Sequence, residues 1–74
     1  MKKQRINGKQ MRKSIIKSIG KFSKKHGYPP TVRDICFDLN YVSTGSMVYH
    51  LDILQAEGKI LRDPHVARSI RLKG

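Results

Sequence analysis

The sequence predicts a mainly α fold of three helices completed by a small β-hairpin. Three observations carry that expectation. Residues 28–54 read as two capped helical patterns separated by a tight turn. Residues 59–72 switch to branched aliphatics around the turn chemistry of Asp63-Pro64. Sixteen Lys and Arg against five Asp and Glu give the 74-residue chain a formal charge of +11. Short helix, tight turn, second helix, then hairpin is the order of a winged helix-turn-helix.

Each element follows from its residues. Residues 1–7 form a basic lead-in, expected to be mobile. A first helix is expected from Gly8 to His26, with Met11, Ile15, Ile19 and Phe22 on one face and Ile16 beside them. Gly20 weakens this helix by up to ~1 kcal/mol relative to alanine while permitting close packing, and Gly27 is placed to end it. Pro29-Pro30 stops what precedes, and Thr31-Val32-Arg33-Asp34 is a capping-box-like start. Val32, Ile35, Cys36 and Leu39 then share a face until Asn40, which tolerates the left-handed conformation that ends a helix. Ser43 caps a third helix with the apolar stripe Met47, Leu51 and Leu54, expected to run to Gly58. Residues 59–62 and 69–72 read as two short strands, marginal alone but stable as a wing packed on helices.

Composition narrows the function. A chain this short makes one domain, residues 8–74, without a cleft between lobes. One cysteine excludes an internal disulfide, and with three scattered histidines it offers no zinc-finger spacing. No apolar run approaches the ~20 residues that span a bilayer, and the basic amino terminus lacks a signal peptide's apolar centre. A reducing cytoplasmic location is the expectation. No arrangement suggests a nucleophile, a nucleotide loop or a metal site, so neither catalysis nor a cofactor or small-molecule ligand is expected.

The charge is uneven. Residues 1–26 carry ten Lys or Arg and no acid, residues 27–58 are close to neutral, and residues 59–74 are basic again. Basic flanks around a less charged element suit phosphates gripped on either side of a reading helix, which points to double-stranded DNA. The plain alternative is a solubilising surface, although such surfaces usually mix both signs.

Beyond these patterns, the sequence resembles a known family. Gly27-Tyr28-Pro29-Pro30-Thr31, Ile35, Leu39-Asn40-Tyr41, Ser43, His50-Leu51, Leu54, Gly58 and Arg68-Ser69-Ile70-Arg71-Leu72 are similar to the DNA-binding domain of LexA repressors. The resemblance covers Gly8 to Leu72 without a gap. It implies a three-helix winged module that binds operator DNA as a dimer, with the third helix in the major groove and the wing on the backbone, and represses transcription. The family's usual self-cleaving serine-lysine protease domain has no counterpart in this sequence, which reads as a DNA-binding fragment or a stand-alone regulator. At the reading positions the family's Ser-Pro-Asn-Ala-Ala-Glu-Glu-His becomes Ser43-Thr44-Gly45-Ser46-Met47-Val48-Tyr49-His50. The family's operator sequence therefore does not transfer, and neither does self-cleavage.

Candidate contacts divide into two sets. Thr44, Gly45, Ser46, Val48 and Tyr49 are the expected base readers, since they occupy the exposed start of the third helix. Ser46 can exchange hydrogen bonds with several bases, Thr44 or Val48 can touch a thymine methyl, and Tyr49 can offer its ring or its hydroxyl. The blander alternative has Ser43 and Ser46 serving only the helix start and Tyr49 packing on its own helix. The absence of Arg, Asn and Gln from the first two turns favours a share for DNA shape. Lys9, Arg12, Arg33, Ser43, His65 and Arg68 are the expected backbone contacts. Cys36 and His50 read as core residues rather than a redox centre or a ligand. Two rival functions stand beside this one: a protein-interaction adaptor whose basic first helix binds an acidic partner, and non-specific binding to RNA or an anionic membrane.

Overall fold

The computed structural model describes residues 8–73, so the predicted lead-in, residues 1–7, lies outside them. Three helices run in chain order, α1 (Gly8–His26), α2 (Val32–Asp38) and α3 (Thr44–Ala56). The strands β1 (Ile60–Leu61) and β2 (Arg71–Leu72) pair antiparallel, with Ile60 opposite Leu72 and Leu61 opposite Arg71.

Capping chemistry sets the helix ends. Thr31 accepts the Asp34 amide at 3.1 Å while the Asp34 carboxylate accepts the Thr31 amide at 3.0 Å, a complete capping box for α2. The end of α2 is a Schellman motif: Tyr41 N–H bonds the Cys36 carbonyl, Asn40 N–H bonds that of Phe37, and Asn40 sits at φ 55°. Ser43 caps α3 through the Ser46 amide at 3.2 Å. The same Schellman pattern closes α3, with Lys59 N–H on the Leu54 carbonyl, Gly58 N–H on that of Gln55, and Gly58 at φ 75°. The helix therefore ends at Ala56, two residues before the glycine expected to stop it.

One core joins the three helices and the wing. Ile15 and Ile19 of α1, Ile35 and Cys36 of α2, Met47, Leu51 and Leu54 of α3, and Ile60 and Ile70 of the wing are buried together. Met11, Ile16, Val32, Leu39 and Tyr41 pack against their edge. Gly20 faces the wing, where an added Cβ would meet Leu72 Cδ1 at 3.3 Å.

Two sequence expectations are corrected. Phe22 leaves the core stripe and forms a separate cluster, its ring centroid 4.2 Å from that of His26 and 5.7 Å from that of Tyr28. The paired strands are shorter than expected, with one further backbone bond from Lys73 N–H to the Lys59 carbonyl at 3.1 Å. Buried Ser69 accepts the Asp63 amide at 2.9 Å and donates to the Val66 carbonyl at 2.8 Å. These bonds hold the wing loop closed and stop the ladder at Arg71.

Candidate nucleic-acid interface

The helix-turn-helix pair α2–α3 presents the start of α3 outward. Met47, His50, Leu51 and Leu54 turn into the core, which leaves Thr44, Gly45, Val48 and Tyr49 exposed on the opposite surface. Val48 follows Thr44 at i+4, and Tyr49 follows Gly45 at the same spacing, so the four expected readers form one strip. Ser46 is half-buried, and its hydroxyl shares a hydrogen bond of 2.8 Å with the Tyr41 hydroxyl. That bond ties the turn to α3 and reduces what Ser46 can offer a base. Tyr49 is 62% exposed and makes an edge contact to the His50 ring at 5.6 Å.

The turn adds a residue that the sequence reading left out. Val42, directly before the Ser43 cap, is 97% exposed. Phe37, near the end of α2, is 89% exposed. Both are apolar side chains left to solvent within the helix-turn-helix.

The expected backbone contacts divide in the structure. Lys9, Arg33, Ser43 and His65 are exposed. His65 sits at φ 66° in the wing loop, a left-handed position uncommon outside glycine, asparagine and aspartate. Lys9 and Arg12 line a depression with Ile16, Leu54, Glu57 and Lys59, beside the end of α3 rather than its reading start. Arg12 is half-buried, and its guanidinium approaches His50 Nδ1 at 3.4 Å. Burial lowers the His50 pKa, and the positive charge of Arg12 lowers it further.

Arg68 departs from expectation. Its Nη1 donates to Asp34 Oδ2 at 2.9 Å and to the Pro29 carbonyl at 3.0 Å. The guanidinium lies 4.7 Å from the Tyr28 ring centroid and 5.9 Å from that of Phe22, within reach of cation–π attraction. The side chain thus fastens the wing to α2 and to the end of α1, with Nη1 directed at the protein's own acceptors. Asp34 is held below the ordinary carboxylate range by the Thr31 amide bond first, opposed by desolvation, then by the Thr31 hydroxyl and Arg68.

A second fastening, invisible in the sequence, joins the wing to α3. Arg62 donates from Nε to Gln55 Oε1 at 2.8 Å and from Nη2 to the Asp52 carboxylate. On the other side of the fold Ser18 donates to Asp38 at 2.7 Å, tying α1 to α2. Reading strip, turn and wing are therefore held in a fixed relation. Among the described residues no cluster of His, Cys, Asp and Glu could hold a metal ion, and no helix is long and apolar enough to cross a membrane.

Comparison with known proteins agrees with this architecture. The family described as the LexA DNA binding domain matches residues 8–69. The LexA repressor of Roseiflexus sp. is 39% identical over 61 residues, covering 82% of this chain and 28% of that protein. The LexA repressor of Acetivibrio thermocellus is 34% identical over 68 residues, 92% of this chain and 31% of that protein. That of Clostridium botulinum strain Hall is 45% identical over 49 residues. The chain thus spans less than a third of the length of these curated relatives. With the winged helix-turn-helix formed and its matched segment running from the first helix into the wing, the chain belongs to the LexA DNA-binding domain family.

Proposed function

We propose that this chain is the operator-binding domain of a transcriptional repressor, inserting α3 into the major groove of double-stranded DNA. The observation that carries this reading is the exposed strip Thr44, Gly45, Val48 and Tyr49 at the start of α3, in a chain of formal charge +11. Ser46 supports the strip through Tyr41 and contributes to base contact what that bond leaves available. Lys9, Arg33, Ser43 and His65 are proposed to meet phosphates, Arg33 and Ser43 from the helix-turn-helix and His65 from the wing. Arg12 contributes positive field from beside His50. Arg68 acts indirectly, by setting the position of the wing.

Association of two copies on adjacent half-sites is proposed from the family likeness. A two-fold protein arrangement requires a palindromic site with half-sites about one or two helical turns apart. Selection of bound duplexes from a random pool at near-physiological salt tests the whole reading. Recovery of a palindrome with two half-sites supports it. Salt-sensitive binding without any recovered motif would instead make the basic surface a non-specific anion binder.

A further inference from the structure

We propose that the half-site is read chiefly through thymine 5-methyl groups, by the exposed apolar groups of Val42, Thr44 and Val48; this rests on the operator-binding function proposed above. The argument starts from what the reading surface lacks. Guanine is read most strongly by Arg or Lys and adenine by Asn or Gln, each through paired hydrogen bonds in the major groove. Between Val42 and Tyr49 none of these residues occurs. The strongest polar candidate, the Ser46 hydroxyl, is already bonded to Tyr41 at 2.8 Å.

Apart from the Thr44 and Tyr49 hydroxyls, what remains outward is hydrocarbon. Val42 is 97% exposed, Val48 is 38% exposed, and Thr44 adds a γ-methyl one turn before Val48 on the same face. Left in water, these groups gain nothing. Among unmodified DNA bases only thymine presents a methyl in the major groove, so it alone offers these side chains an apolar partner. The charge of +11 brings the strip to the duplex, and Asp52, the exposed acid further along α3, is already paired with Arg62. Gly45 between the three residues has nothing within 4 Å of where a Cβ would stand, so the backbone there can approach the base edges closely. Val42 is the new specificity residue in this scheme, placed on the turn rather than on the helix.

The test deletes the methyl from the DNA and leaves the protein intact. In the half-site recovered by selection, each thymidine is replaced singly by deoxyuridine, which keeps every hydrogen-bonding group. Affinity is expected to fall about fourfold at each contacted position, the effect of exposing one buried methyl. The same substitutions should have no effect on Val42→Ala or Val48→Ala protein at the position each contacts, and both residues are exposed enough for the variants to fold. A recovered motif whose affinity is unchanged by every deoxyuridine substitution would overturn methyl reading while leaving operator binding standing. Failure to recover any motif would overturn both.

Discussion

The guanidinium of Arg68 serves a carboxylate, a carbonyl and two aromatic rings at once, so a single truncation removes four contacts. Because the group is about half exposed, each contact is screened. Arg68→Ala should lower stability by about 1 kcal/mol, measured by urea unfolding. Arg68→Lys should recover only part of this, since an ammonium cannot stack flat on Tyr28 while donating along a plane. Two titrations make the fold acid-sensitive with the same sign. His50 binds a proton less readily folded than unfolded, so the unfolded chain takes up more protons as pH falls below 6.5, and stability declines. The stabilisation from Asp34, present above 3.8, is lost as pH falls further through its lowered folded value. His50→Gln should flatten the upper decline and Asp34→Asn the lower one in a series of melts against pH. These partnerships were not legible in the sequence. Arg12 and His50 lie 38 positions apart, and Arg68 and Asp34 lie 34 apart, so no local pattern joins them.

Elements were far more legible, because their ends are written in short-range chemistry. Thr31 with Asp34, Ser43, Asn40, Gly27 and Gly58 each act within a few residues of themselves, and each does in the structure what its type and spacing imply. Thr31→Ala should cost about 1 kcal/mol by removing the cap of a seven-residue helix that has little else to start it. The hairpin was read too long because alternation marks residues able to pair, whereas the Asp63 amide is taken by the Ser69 hydroxyl and the Ser69 carbonyl by Arg71. Gly20 gives an element-scale prediction of opposite sign. Alanine there gains helix propensity of up to ~1 kcal/mol, and the atom it meets is the end of a partly exposed leucine that can turn aside. Gly20→Ala should therefore raise the melting temperature. A drop would mean that α1 and the wing are packed too closely for Leu72 to yield.

At the scale of the whole molecule, charge and rigidity act together. Binding should weaken with salt at a log–log slope of about −0.9 per phosphate contacted, and Lys9→Ala or Arg33→Ala should each make that slope shallower by about one contact. Equal slopes before and after would remove the residue from the backbone interface. Rigidity comes from Arg62 and Arg68, which join the wing to α3 and to α2 on separate sides. The candidate site was legible as a strip on α3 but not as a unit with the wing, since that unity depends on bonds between distant segments. The buried thiol of Cys36 turns this cooperativity into a clock. Desolvation raises its pKa, and the packed core blocks reagent, so alkylation must wait for the domain to open. Operator DNA that binds only the folded form should lengthen that wait by a factor of about 1 + [DNA]/Kd where reagent attack is slower than reclosing. The lone thiol, with no part in recognition, would then report binding to operator DNA by the time it takes to be labelled.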